Sequence, residues 1–271
     1  MRTRILTAAV LVPVLILLTL VAPKWLAMVV FGLMMSIGAY ELLYGTGLVR
    51  HPRLVLYTVV MAFAVALWSY FDAVHAYAVL GLLLFSMLLF AEMMADHVKV
   101  RFEMLGMCLF AGVVMPFLLC ALIRILTMRM GRQVILIPFV IAFLSDSGAY
   151  FVGLKFGKHK LAPVVSPNKT IEGALGGLVT SMASMIIYAF VLDILPLGLQ
   201  VNYALALLYG FLGSVGGMIG DLCFSVIKRQ TGIKDYGNLI PGHGGILDRF
   251  DSMMTVAPLI EALLLLTPMV M

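Results

Sequence analysis

Charged residues in this sequence concentrate in two segments that mix carboxylates with lysine and arginine. The first segment spans residues 146–172 and carries Asp146, Lys155, Lys158, Lys160, Lys169 and Glu172. The second spans residues 221–251 and carries Asp221, Lys228, Arg229, Lys234, Asp235, Asp248, Arg249 and Asp251. Carboxylate oxygens are the ligands that Mg²⁺ prefers, and the ion usually shares them with substrate phosphates. Lysine and arginine neutralise the remaining phosphate charge. The two segments therefore predict a site for a metal-bound polyphosphate.

Two of the carboxylates, Asp146 and Asp221, lie inside apolar stretches long enough to span a bilayer. An ionisable side chain at membrane depth costs about 2.5–3.5 kcal/mol on insertion scales and normally faces a bundle interior or a wet cavity. We expect both residues to line one polar cavity, and a hydrogen-bonded packing role between helices is the alternative for each. Ser225 and Lys228 follow Asp221 at i+4 and i+7, so these three side chains share one helix face.

Small residues at four-residue spacing surround Asp221 in the sequence and predict close helix packing, because such spacing lets backbones approach one another. The pairs are Gly213 and Gly217, Gly216 and Gly220, and Gly173 and Gly177.

The loop at residues 228–251 contains a glycine-rich stretch, Gly242-His243-Gly244-Gly245. Glycines allow consecutive backbone N–H groups to turn inward and form an anion-binding nest. Asp248, Arg249 and Asp251 follow directly, so the loop offers amides, a cation and carboxylates together. His243 is either an acid or base or a simple hydrogen-bond donor, and the sequence leaves both roles open.

The loop that precedes the apolar run at 174–192 reads Ser166-Pro167-Asn168-Lys169-Thr170-Ile171-Glu172-Gly173. Ser166 or Thr170 is expected to cap the following helix, and Glu172 in its first turn suits the helix dipole. A cation at Lys169 is unfavourable at this positive helix end unless an anion binds there.

The composition excludes a water-soluble enzyme. Of the 271 residues, 63% are apolar and 11% are charged, whereas soluble domains are near 45–50% and about 25%. A spanning helix needs about 20 mostly apolar residues. Apolar runs predict an all-α, polytopic integral membrane protein with about nine spans, near 5–22, 25–43, 54–71, 74–91, 104–123, 134–154, 174–192, 203–227 and 253–271. The first run is interpreted as a retained helix rather than a signal peptide because it is too long for a signal core.

Lysine and arginine distribution predicts the orientation. With a cytoplasmic N-terminus, 14 of the 18 basic residues fall on the cytoplasmic side, which puts the polar site at the cytoplasmic face of an inner membrane and the C-terminus outside. We expect two parts. Residues 1–130 hold about five helices with a lipid-facing or interface role, and residues 131–271 hold the catalytic helices with loops 155–173 and 228–251.

The second charged segment resembles the signature of the phosphatidate cytidylyltransferase family, the CDP-diacylglycerol synthases. Every fixed position is filled over 27 residues: Ser225-x-Ile227-Lys228-Arg229-x4-Lys234-Asp235-x-Gly237-x2-Ile240-Pro241-x-His243-Gly244-Gly245-Ile246-x-Asp248-Arg249-Phe250-Asp251. The stretches around Asp146 and Ser166–Gly173 are similar to that family as well. The likeness is strong from about residue 130 onward and weak before it.

The resemblance implies transfer of CMP from CTP to phosphatidic acid, with Mg²⁺, giving CDP-diacylglycerol and pyrophosphate for phospholipid synthesis. Its partners would be CTP, phosphatidic acid and membrane lipids, with no nucleic acid; a homodimer and a second, monovalent ion are left open. Asp221 and Asp248 would bind metal, with Asp251 and Asp146 as further ligands or supporting groups. Lys169, Lys228 and Arg249 would hold phosphates. The other expected substrate contacts are Ser166, Asn168, Thr170, Ser225, Lys234, Gly242, His243, Gly244 and Gly245.

Other functions fit part of this pattern. A CTP-dependent polyprenol or phytol kinase, or an ether-lipid cytidylyltransferase, would share much of the site. An ion-coupled transporter is a further alternative because Asp146 and Asp221 are intramembrane carboxylates, but transporters tend to show internal repeats, and here the charge lies in the last half alone. The Asp-Gly-x2-Ala-Arg pattern of CDP-alcohol phosphotransferases is absent.

Overall fold

The computed structural model describes residues 2–196, 198–240, 242 and 244–270, and these residues form an almost entirely helical protein. Their α-helices are α1 (Arg2–Ile16), α2 (Lys24–Tyr40), α3 (Pro52–Tyr70), α4 (Ala78–Ala95), α5 (Phe102–Leu109), α6 (Met115–Leu119), α7 (Ala121–Thr127), α8 (Gly131–Val134), α9 (Leu136–Phe156), α10 (Ile171–Ile194), α11 (Tyr203–Gln230), α12 (Leu247–Phe250) and α13 (Met253–Leu266). Wider π-helical turns extend or join some of them, at Leu17–Val21, Glu41–Gly45 and Phe110–Val114.

Seven helical segments of the described chain are long and apolar enough to cross a membrane. They are Lys24–Gly45, Pro52–Tyr70, Ala78–Ala95, Phe102–Thr127, Gly131–Phe156, Ile171–Ile194 and Tyr203–Gln230. The all-α, integral membrane character predicted from the sequence is therefore confirmed.

The predicted number of nine spans is not confirmed, because the first and last apolar runs form shorter helices in the described chain, Ala9–Val21 and Met253–Leu266. The last run was predicted to reach residue 271, but its helix ends at Leu266. Pro268 follows closely, and proline disfavours the helical conformation of the residue before it. Thr267 accordingly leaves the helix, with φ −141° and ψ 69°.

Contacts divide the chain into two compact units. Unit 1 comprises Met1–Arg129 and Gln230–Phe250, and unit 2 comprises Met130–Arg229 and Asp251–Met271. The sequence division also placed a boundary near residue 130, but it assigned loop 228–251 wholly to the second part. In the structure most of that loop groups with unit 1, because its backbone hydrogen-bonds to an acidic residue near the end of α2, Glu41.

Unit 2 is built from α9, α10, α11 and α13, and glycines bring these helices together. A methyl group at Gly177 of α10 would come within 2.8 Å of the Ser145 carbonyl oxygen on α9. One at Gly220 of α11 would come within 2.9 Å of the Asp251 carbonyl oxygen. The predicted close packing is confirmed, and it fixes the helix that carries Asp221.

A short antiparallel hairpin joins α9 to α10. Its strands are β1 (Lys160–Ala162) and β2 (Ser166–Thr170), with Lys160 opposite Thr170 and Ala162 opposite Ser166. The sequence predicted a loop here, and the hairpin is the only named strand pair in the described residues. It delivers Lys169 to the start of α10.

Candidate functional site

The site predicted from the sequence begins with a cluster of acidic and basic side chains in unit 2, and different elements supply its members. Asp146 lies on α9, Lys169 on β2, and Asp221, Ser225 and Lys228 lie on α11. Asp251 lies just before α13. Segments more than 100 residues apart in the chain thus contribute to one cluster.

Lys169 forms an ion pair with Asp221, between its Nζ and Oδ2. The anion that the sequence required at the start of α10 is therefore a carboxylate of the same chain. Ser225 Oγ donates to Asp221 Oδ1 at 3.3 Å, so these two side chains share a helix face, as the i+4 spacing predicted. The two paired side chains keep 26% and 24% of their surface exposed, so solvent and ligands reach this pair.

Asp251 lies deeper in the same cluster. Its Oδ2 is 3.9 Å from Lys228 Nζ, each side chain is 13% exposed, and its Oδ1 accepts the Ser252 N–H at 2.8 Å. Burial raises the pKa of Asp251 above its ordinary value, the charge of Asp221 raises it further, and Lys228 opposes both. Asp146 also raises it. With all three carboxylates ionised, they exceed the two lysines by one negative charge, which favours a cation.

A cavity of about 530 Å³ opens beside this cluster. Its polar wall holds five predicted site residues: Asp146, Asn168, Lys169, Thr170 and Asp221. Apolar side chains also line the cavity, including Tyr150, Leu154, Leu161, Ala174 and Met218. The cavity is therefore lined by both charged and apolar residues. Among the described site residues of unit 2, Ser166, Ser225, Lys228 and Asp251 do not line it. Ser166 opens β2, Ser225 donates to Asp221, and Lys228 pairs with Asp251.

The β-hairpin beside the cavity is held by capping interactions at the start of α10. Thr170 Oγ1 accepts the Gly173 N–H at 3.1 Å, which confirms Thr170 as the cap. Glu172 accepts the Lys158 N–H at 3.1 Å and pairs with His159 Nδ1 at 2.6 Å. Glu172 thus fixes the turn before β1 in addition to its place in the first helical turn.

The glycine-rich loop forms a second polar region, within unit 1. A cavity of about 510 Å³ is lined by four predicted site residues, Lys234, Gly242, Gly244 and Arg249, together with Asp235, Gly237, Asn238 and Ile240. Positive φ angles at Gly242 (76°) and Gly244 (83°) let the loop turn back on itself, since other residues rarely adopt them. His243 lies outside the described residues.

Asp248 holds the backbone of this loop. It is only 5% exposed, and its Oδ2 accepts the Tyr236 N–H at 2.8 Å and the Gly245 N–H at 2.9 Å. The Gly245 amide, predicted to face a substrate phosphate, instead donates to this carboxylate. Metal binding by Asp248 stays a prediction, because Asp248 groups with unit 1 while Asp221 groups with unit 2.

Glu41 is a buried loop contact that the sequence interpretation did not single out. It is 5% exposed, and its two carboxylate oxygens accept the N–H groups of Ile246 and Leu247 at 3.0 and 2.8 Å. The available signal was an acidic residue within the apolar run 25–43, which is the same criterion that identified Asp146 and Asp221.

The number of neighbouring carboxylates indicates which kind of metal site this chain can form. In the part of the chain that the structure describes, no three His, Cys, Asp or Glu side chains are close enough to form a complete metal site by themselves. Mg²⁺ usually takes one or two protein carboxylates and completes its shell with water and substrate phosphates. Asp221 and Asp251 in one cluster fit that requirement.

Comparison with known proteins agrees with the resemblance found in the sequence. A model of the cytidylyltransferase family matches residues 2–267. Phosphatidate cytidylyltransferases from Staphylococcus haemolyticus, Staphylococcus epidermidis and Staphylococcus aureus are 49%, 48% and 47% identical over 135, 137 and 135 residues. These alignments cover 50–51% of this chain and 50–51% of each relative, so the chain spans about half the length of the curated relatives it matches.

Proposed function

The chain belongs to the cytidylyltransferase family, and we propose that it transfers CMP from CTP to phosphatidic acid, giving CDP-diacylglycerol and pyrophosphate. The names of the relatives support this substrate pair. The observation that carries the proposal is the charged cluster of unit 2, formed by Asp146, Asp221 and Asp251 with Lys169 and Lys228. Asp146, Lys169 and Asp221 of this cluster line a cavity that apolar residues also line.

Both reactants are anions that repel each other, so the residues must shield charge and align atoms. In the reaction a phosphate oxygen of phosphatidate forms a bond to the α-phosphorus of CTP, and the bond from that phosphorus to the departing pyrophosphate breaks. Lys169 and Lys228 are suited to bind phosphate oxygens, and fixed positive groups of this kind stabilise charge that develops on them. No covalent nucleophile on the protein is required.

We assign Mg²⁺ to Asp221 and Asp251, with Asp146 as a supporting carboxylate. Bound there, the ion would polarise phosphoryl oxygens and orient the reactants. Asp221 can take a metal ion as a partner in place of Lys169, because the Lys169 side chain is partly exposed. Lys169 would exchange the Asp221 carboxylate for a phosphate oxygen of the nucleotide.

The apolar residues that line the cavity support binding of a membrane lipid. Tyr150, Leu154 and Met218 would contact its acyl chains, and the polar lining residues would contact its headgroup. We propose that the lipid enters from the bilayer and that the site faces the cytoplasm, as the distribution of basic residues predicts.

Purified protein incubated with α-labelled CTP and phosphatidate tests the function by thin-layer chromatography. The expected product is a lipid that carries labelled CMP, formed with Mg²⁺, lost with EDTA and restored by added Mg²⁺. A parallel incubation with γ-labelled CTP and an unphosphorylated lipid alcohol tests the kinase alternative. Transfer of a single phosphate there, without CMP transfer to phosphatidate, would refute the proposal. Full activity in EDTA would refute the metal assignment alone.

A further inference from the structure

Loop 236–247 is the segment of unit 1 between Tyr236 and Leu247, and two buried carboxylates bind its backbone. Asp248 accepts the N–H groups of Tyr236 and Gly245, and Glu41 accepts those of Ile246 and Leu247. Asp248 lies next to the loop in sequence, whereas Glu41 is 205 residues away from Ile246. Glu41 therefore ties the loop to a different part of the fold.

The surroundings of Glu41 are shaped to admit its carboxylate. A methyl group at Gly237 would come within 2.5 Å of Glu41 Oε1, and one at Gly245 would come within 2.4 Å of the same atom. Any side chain at either glycine would displace Glu41 from the loop. Gly237 has no positive φ, so the close approach of Glu41 accounts for glycine there.

Glu41 is also held rigidly on its own side. It begins the π-helical turn Glu41–Gly45 that extends α2. Gly45, in the same turn, lies against the Tyr236 carbonyl, where an added methyl group would come within 2.5 Å of the oxygen. The turn and the loop thus contact each other at both ends.

The loop that Glu41 holds supplies most of the wall of the 510 Å³ cavity, and Lys234 and Arg249 flank it. Two cationic side chains and one carboxylate, Asp235, leave the cavity with a net positive charge suited to a polyphosphate.

We propose that Glu41 is a positioning residue that fixes loop 236–247 so that Lys234 and Arg249 can bind the phosphates of CTP. This inference rests on the proposed function, because it takes the nucleotide to be the ligand of the cavity. Glu41 does not line the cavity among the described residues and acts only through the loop backbone. A buried hydrogen bond to a charged group is among the stronger hydrogen bonds in proteins, so losing one of the two contacts is enough to loosen the loop.

The test compares Glu41→Gln with Glu92→Gln. The control makes the same chemical change on a helix of unit 1, where Glu92 binds the side chains of Arg53 and Tyr57 rather than a loop backbone. Hydrogen–deuterium exchange of the full-length protein in detergent is followed for peptides that cover residues 236–247. We expect Glu41→Gln to accelerate exchange there by about tenfold or more and Glu92→Gln to leave it unchanged.

Steady-state kinetics with CTP and phosphatidate provide the second measurement. Glu41→Gln is expected to raise the KM for CTP by about tenfold while the KM for phosphatidate changes less than about twofold. Gly237→Ala, which leaves Glu41 intact but intrudes on its carboxylate, is expected to act in the same direction. A purely structural role would lower the amount of active enzyme without changing either KM.

Several results would overturn the inference. They are unchanged loop exchange in both Glu41→Gln and Gly237→Ala, equal acceleration in Glu92→Gln, or a KM increase confined to phosphatidate. If Glu41→Gln does not fold, hydrogen–deuterium exchange of the wild-type protein still tests the inference. Fast exchange of the Ile246 and Leu247 amides would show that Glu41 does not hold them. Failure of the wild-type protein to transfer CMP would refute the proposed function instead, and the exchange data would still report on the loop.

Discussion

The two polar regions use the same kind of residue in different ways. In unit 2, Asp221 and Asp251 pair with the side chains of Lys169 and Lys228. In unit 1, Asp248 and Glu41 bind backbone N–H groups of a loop. A lysine side chain can rotate away and release its carboxylate to a metal ion, whereas a backbone amide moves only with its loop. Carboxylates of unit 2 are therefore suited to chemistry, and those of unit 1 to holding a binding surface.

The largest expected effect is from Asp221→Asn. Removing this charge should reduce CMP transfer by about 10³-fold or more, since it would deprive the cluster of a proposed metal ligand and release Lys169 from its partner. The thermal unfolding midpoint should change little, because partly exposed ion pairs contribute about 1 kcal/mol or less. Activity and unfolding are measured on the same purified sample.

Asp193→Asn is the matched control for this prediction. Asp193 lies on α10 of unit 2 and accepts a hydrogen bond from Tyr203 at 3.0 Å, away from the cluster. It should retain near wild-type transfer. Wild-type rates in Asp221→Asn would remove the metal assignment.

Asp248→Asn should reduce both stability and activity, unlike Asp221→Asn, which should reduce activity alone. The amide keeps one acceptor oxygen but no charge for the Tyr236 and Gly245 N–H groups, so we expect a loss of about 1.5–3 kcal/mol in the free energy of unfolding. Activity should fall as well, because Lys234 and Arg249 flank the loop that Asp248 holds. An unfolding midpoint equal to that of the wild type would mean that Asp248 does not hold the loop.

Lys169→Ala has a smaller expected effect, confined to substrate handling. Loss of one phosphate contact should reduce kcat/KM for CTP by about 10–100-fold and leave the protein folded. Lys158→Ala is the control, since Lys158 contacts Glu172 through its backbone N–H and an alanine keeps that donor. Loss of folding without a kinetic change in the remaining enzyme would instead give Lys169 a structural role.

Asp251→Asn should change the pH dependence of stability. Burial raises the folded-state pKa of Asp251 from 3.8 to about 7, so between these values the folded protein holds a proton that the unfolded chain releases. The free energy of unfolding of the metal-free wild type should therefore fall as pH rises through this window. Asp251→Asn removes this group from the titration, so unfolding midpoints in EDTA should vary less with pH than in the wild type. An identical pH dependence in both proteins would contradict the raised pKa.

Much of the fold was predictable because hydropathy acts locally. Each apolar run predicted a helix, and the glycine pairs around Asp221 predicted contacts that the structure contains. The end of the last helix was predicted less well, since the extent of an apolar run does not account for Pro268. The hairpin at Lys160–Thr170 was missed because its two short strands carry no alternating apolar pattern.

The sequence predicted which residues form the charged cluster of unit 2 but not which of them pair. The sequence identified Asp221 and Lys169 separately, but nothing in their spacing indicated that they pair. Glu41 was accessible to the same reasoning as Asp146, since both are acidic residues in apolar runs, yet its role depends on a loop that begins nearly 200 residues later.

The sequence by itself determined that this is a helical membrane protein, which segments are apolar, and which segments concentrate the charged residues. These features follow from local composition and periodicity, because hydrophobicity and charge can be assigned to each segment separately. The tertiary structure decided which carboxylate meets a lysine and which meets a backbone amide. That choice depends on burial and on the geometry of groups distant in the chain, because an ionised side chain taken out of water must find whatever donor the packed helices bring to it.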